Sequence, residues 1–131
     1  MTEEARVGGL LLRADAALYF VPATVAIRIA SPPRITPVPG TPAALVGITL
    51  HEGVVVPVIS IGSGRGEMVV CLHSGELVGI VGGSVVRVGA FERAGPASSD
   101  RVTHEGQIVE PLDVGTIYTQ IQSRARLAAV L

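Results

Sequence analysis

The chain has 131 residues, the size of one ordinary domain, and a net charge of -1 from 10 Lys and Arg against 11 Asp and Glu. With no Trp and no basic block, it lacks the electrostatic footprint and stacking platform of nucleic-acid binding. Hydrophobic residues make up 48% but aromatics only 3%, so the core must come from Val, Ile, Leu and Ala; 16 Gly and 9 Pro break these runs at short intervals, which points to an all-β fold of short strands.

The N-terminal MTEEARVGG is acidic where a secretion signal would be basic, and Arg13 and Asp15 cut short the LLL that follows. A strand is predicted at Leu10 to Leu12, a polar turn at Arg13 to Asp15 and a return strand from Leu18, the pattern of a β-hairpin. The chain then bends at Pro22 and Ala23 and closes on the alternating unit AIRI, Ala26 to Ile29. The longest uncharged stretch, Ile35 to Leu50, carries Pro37, Pro39 and Pro42 and falls short of the roughly 20 apolar residues of a spanning helix, so no direct membrane insertion is expected. The expected location is cytoplasmic. HEG at His51 to Gly53 then leads into another short strand, Val54 to Ile61.

The second half repeats this order. A shift of 59 lays residues 9–29 over residues 68–88 without a gap, matching Val69 to Cys71 with the first apolar triplet, the polar turn His73 to Glu76 with the first turn, and VVRV at Val85 to Val88 with AIRI. Arg87 thus corresponds to Arg28. A second HEG, His104 to Gly106, lies 53 residues after the first, so the second half has about six fewer loop residues, a cheap deletion because closure entropy varies slowly with length. The reading is one domain, 1–131, of two β modules, 7–62 and 67–114, joined by GSGRG; each has too few strands for its own core, so the two share one. From Asp113 onward, Ile117, Ile121, Ala125 and Ala128 recur at helical spacing with Asp113 or Thr116 as N-cap, which predicts a closing helix over 115–128.

Catalytic and metal chemistry find little support. The two HEG units and His73 offer imidazole and carboxylate donors, but without HxH or HExxH spacing, and neighbouring His and Glu on a strand would point to opposite faces. The single cysteine, Cys71, excludes an internal disulfide and sits in an apolar strand pattern, so it reads as a buried hydrophobe. The glycines of GSGRG lack the lysine and context of a phosphate loop. Neither a catalytic residue, a metal nor a cofactor is expected.

The run LYFVPATVAIRIASPPRITPVPGTPAALVGITLHEGVVVPVISI resembles the CheW-like domain of bacterial chemotaxis coupling proteins, whose pattern runs YxLPVxxVxEI and then ITxVPxxPxxxxGVINLRGxIxPVIDL. Tyr19, Pro22, Ile29, Ile35, Thr36, Val38, Pro39, Pro42, Gly47, Gly53, Pro57, Val58 and Ile59 fall in step, and LVGIVGGSVVRV and VEPLDVGTIY resemble later family segments, so the likeness covers Val7 to about Ile121. It implies two intertwined five-stranded SH3-like barrels around a shared core. It also implies a non-catalytic adaptor that couples the cytoplasmic tip of methyl-accepting chemoreceptors to the regulatory domain of a CheA-type histidine kinase, recruited to receptor arrays.

Where the family pattern has the acid of VxEI this chain has Arg28, and where it has the Arg of NLRG this chain has Glu52. The signs are exchanged, and the expectation is that the two side chains face each other. Ser60 and Gly83 also depart from family aspartates, which describes a minimal member able to bind receptors without the kinase, or one serving another chemosensory pathway. The expected partner surface is an apolar groove between the barrels formed by Ala26, Ile27, Arg28 and Ile29 with Val46, Gly47, His51, Glu52 and Gly53. Burial is the competing reading for Ile29 and Val46.

Overall fold

The structure is a computed structural model and describes residues 5–38, 45–64, 66–96 and 99–119. Ten strands follow one another: β1 (Arg6–Ala14), β2 (Ala17–Pro22), β3 (Ala26–Ala30), β4 (Leu45–His51), β5 (Val54–Ser60), β6 (Met68–His73), β7 (Glu76–Val81), β8 (Ser84–Arg93), β9 (Val102–His104) and β10 (Gln107–Pro111). A short helix, α1, covers residues 114–119. Asp113 caps it, accepting hydrogen bonds from the Thr116 N–H at 2.9 Å and the Thr116 hydroxyl at 2.7 Å. The part of the predicted helix beyond residue 119 lies outside the described residues. No helix among those residues is long and apolar enough to cross a membrane.

The strands form a closed barrel in the order β1-β2-β10-β9-β8 and a five-stranded sheet in the order β3-β6-β7-β5-β4. The sheets do not follow the sequence halves. Segment 7–62 supplies β1 and β2 to the barrel and β3, β4 and β5 to the sheet, and segment 67–114 contributes in the reverse sense. The two are linked by parallel pairings, β2 with β10 and β5 with β7, that tie residues of one half to residues of the other.

The internal repeat survives in the finest detail of the ladders. Pairing of Phe20 with Pro111 in the barrel has its counterpart in Val58 with Gly79, the positions given by the same shifts of 59 and 53. A β-bulge interrupts β3 against β6 at Ile27, and an equivalent one interrupts β8 against β1 at Val86. Both HEG units are two-residue hairpin turns with positive φ at each central residue, 51° and 81° for Glu52 and Gly53, 49° and 77° for Glu105 and Gly106. That geometry follows the right-handed twist of the flanking strands. The turns expected at both HEG units are therefore present, with each glutamate at a central turn position.

Among the described residues, the buried apolar side chains form three clusters. Leu11, Phe20, Phe91, Val102 and Val109 fill the closed barrel, with Phe20 and Phe91 edge to face at 5.5 Å. Val58, Met68 and Val70 lie within the second sheet. Between them, residues of β1, β2, β5, β6 and β7 form a shared core that includes Leu10, Val21, Ile59, Val69 and Val78, with Ile117 and Tyr118 of α1 packed on it. The start of the link, residues 62–64, is a close chain crossing: the Gly64 N–H donates to Gly82 O at 3.0 Å, and a Cβ on Gly82 would lie 2.4 Å from Gly62 O.

Candidate functional site

A groove of about 400 Å³ runs between the two sheets. One wall is residues 26–29 of β3; the other is residues 8–10 of β1 with Val88 and Gly89 of β8. The bulge at Ile27 turns that side chain outward, leaving it 50% exposed, whereas Ala26 and Ile29 remain half-buried against the shared core. Small residues shape the opposite wall. A Cβ on Gly9 would stand 2.4 Å from Val21 O and 2.7 Å from the Phe20 ring, so glycine is required there for the ring to fill the barrel behind that wall.

Arg28 and Glu52 meet. Arg28 Nη1 and Glu52 Oε1 form an ion pair between β3 and the β4–β5 turn, both side chains more than half exposed. An exposed pair of this kind contributes about 0.2 to 1 kcal/mol, so its effect is chiefly on the shape and polarity of the rim. The equivalent residues of the closed barrel take other partners: Arg87 stacks over Phe91 at 4.8 Å, and Glu105 lies 3.9 Å from His104.

The remaining expected residues separate. Gly53 completes the turn that carries Glu52, and His51 lines a second groove on the far side of β4. Val46 is the bulged residue of β4 and lines neither groove. Gly47 is buried beneath the segment after β3, where a Cβ would approach Thr36 O to 2.2 Å, so its place is structural. The groove residues that sequence reasoning missed, Gly8, Gly9, Leu10, Val88 and Gly89, were within reach of the repeat, because aligning Arg28 with Arg87 puts Val88 at the position of Ile29.

The chemistry available here is that of contact. Among the described residues, no group of three His, Cys, Asp or Glu side chains comes together. The HEG turns lie in different sheets. Cys71 is buried at the shared core, and burial pushes its thiol up to about 12, so the nucleophilic thiolate is suppressed.

The model of the CheW-like domain matches residues 8–118. The chain belongs to the CheW-like domain family. Among solved structures it is similar to the scaffolding protein TtCheW from Thermoanaerobacter tengcongensis, at 16% identity over 79% of this chain and 86% of that one, with a TM-score of 0.63. No curated protein matches it in sequence. In this CheW-like domain both turns between the first two strands of each repeat are held by the chain that leaves the fifth: Ser63 donates to Asp15 Oδ1 from N at 3.1 Å and Oγ at 2.6 Å, and α1 reaches His73 and Glu76 through Tyr118. Each of these contacts ties the barrel to the second sheet.

Proposed function

We propose that this CheW-like domain is a non-catalytic scaffold of a chemosensory array, joining chemoreceptor cytoplasmic tips to a CheA-type histidine kinase. The observation that carries this reading is the open apolar groove between the sheets of a chain that matches the CheW-like model over residues 8–118. Exposed Ile27 and Val88 on facing walls, at 50% and 63% exposure, are the kind of apolar surface that a protein partner covers. The ion pair at the groove's edge supplies polarity that selects among partners, since like charges brought together there would oppose docking.

A second reading, receptor binding without kinase binding, draws on the exchanged signs at Arg28 and Glu52. The test is co-sedimentation with a receptor tip and, separately, with a kinase regulatory domain. Binding to both supports the coupling role, and binding to the tip alone supports the second reading. Binding to neither would overturn the scaffold assignment.

A further inference from the structure

The bulge in β3 decides what that strand offers the groove between the sheets. Neighbouring side chains of a regular strand point to opposite faces, but the extra residue at Ile27 breaks the alternation, and exposed Ile27 and Arg28 both line the groove. Among the described residues of that lining, Arg28 is the one that carries a charge; the others are Ala, Gly, Ile, Leu and Val.

The sister strand shows that the architecture does not force this placement. The equivalent bulge of β8 is at Val86, and Arg87 follows it as Arg28 follows Ile27. The Arg87 guanidinium lies 4.8 Å from the centre of the buried Phe91 ring, and Arg87 lines a different hollow with Arg6 and Thr103. In the first half Pro32 stands at the position of Phe91, so Arg28 has no equivalent ring to lie on. It turns to Glu52 through Nη1. An exposed pair of this kind is weak, and a guanidinium has five N–H donors, so a second carboxylate fits beside Glu52 or in its place.

We propose, resting on the reading that a receptor tip enters this groove, that Arg28 takes a carboxylate of the docked segment. The tip then lays an apolar side chain between Ile27 and Val88 and an aspartate or glutamate beside it, against the guanidinium. Charge complementarity sets the sign, because a lysine or arginine in that place would meet the single cation of an otherwise apolar groove and be rejected. Arg28 is thus a specificity residue, and Glu52 is the competitor that occupies it in the free chain and repels the incoming carboxylate.

Titration of a receptor cytoplasmic tip into the full chain, followed by calorimetry, separates this proposal from the reading beneath it. Ile27→Asp reports whether the tip uses the groove. Arg28→Gln, at an exposed position, should weaken binding about three- to tenfold and reduce its dependence on salt, whereas Glu52→Gln should tighten it about two- to fivefold. Arg34→Gln, on the second groove, should leave it unchanged. Replacing the acidic residues of the tip by amides in turn should find one whose loss costs affinity toward the wild-type chain and none toward Arg28→Gln. Equal weakening by Arg28→Gln and Glu52→Gln would mean that the pair only supports the groove, and would overturn the proposal. So would a loss in Arg28→Gln that no tip carboxylate shares. Binding that is weakened by Ile27→Asp yet indifferent to Arg28→Gln overturns the proposal and leaves the docking surface standing; binding indifferent to Ile27→Asp overturns both.

Discussion

The closed barrel and the second sheet share one circular strand order and differ at a single junction. In the barrel, β8 runs on past Phe91 so that Glu92 and Arg93 pair with Thr103 and Val102, and the Ala94 N–H reaches Arg101 O at 3.0 Å. In the second sheet the prolines after β3 interrupt that ladder, and among the described residues the junction is held by the two hydrogen bonds between Thr36 and Ile48, by the Thr49 hydroxyl donating to Arg34 O at 2.8 Å and by the exposed pair of Arg28 with Glu52. A hydrogen bond adds about 0.5 to 1.5 kcal/mol net and an exposed ion pair rather less, so the sheet is held at that junction by irregular ties in place of a continuous ladder. Duplication supplied two copies of one architecture. The aromatic interior is present in the closed barrel, and a groove lies beside β4 of the other copy.

The sharpest way to break this contrast is to truncate equivalent positions. Phe91→Ala should cost about 3 to 5 kcal/mol in denaturant unfolding, because it empties a filled interior. Pro32→Ala, at the matching position, should cost under about 1 kcal/mol, mostly through the freedom it gives the unfolded chain. Similar losses at both would mean that the second sheet is packed as the barrel is. Next in size is Gly47→Ala, whose methyl would meet the Thr36 carbonyl and spoil the bridge to Ile48, at a cost of about 1 to 3 kcal/mol. Hydrogen exchange should then show Ile48 losing protection while Val102 keeps its own.

A smaller effect belongs to the ion pair. The cycle Arg28→Glu, Glu52→Arg and the double change should return a coupling of about 0.2 to 1 kcal/mol that fades with added salt, and additive effects would show that the pair does not interact in solution. The smallest concerns acid. Hydrogen bonds from Ser63 hold the Asp15 carboxyl below its ordinary 3.8, and those from Thr116 do the same for Asp113. A folded-state value below the unfolded one means that the stabilisation is present above the ordinary value and is lost as pH falls through the lowered one. Asp15→Asn with Asp113→Asn should therefore lower Tm slightly at neutral pH and flatten its decline below about pH 4. An unchanged acid limb would contradict the assignment.

Much of this was legible in the sequence because hydrophobic alternation and turn residues are local signals. The hairpin of Leu10 to Val21, its repeat at Val69 to Val81 and both HEG turns could be placed from patterning alone, and the shift of 59 carries β2 onto β7 residue for residue. What the repeat could not give was pairing. Equivalence of β2 and β7 says nothing about which sheet each joins, and the parallel contacts of Phe20 with Pro111 and of Val58 with Gly79 join one half of the chain to the other. The candidate site was half legible for the same reason. Ala26 to Ile29 lie on one strand, and the facing of Arg28 and Glu52 was suggested by the exchange of signs against the family pattern, while the far wall at Gly8, Gly9 and Val88 belongs to elements brought in by long-range pairing. Gly47 followed the family pattern for a reason internal to the fold, the close approach of Thr36.

The most direct measurement of the account is titration of a receptor cytoplasmic tip into the wild-type chain, Ile27→Asp and Leu50→Glu. A charge at Ile27, in the groove between the sheets, should weaken binding roughly tenfold or more, while one at Leu50, at the mouth of the other groove, should leave it unchanged. Tip binding that is indifferent to Ile27→Asp and lost in Leu50→Glu would contradict the assignment of the groove between the sheets as the docking surface.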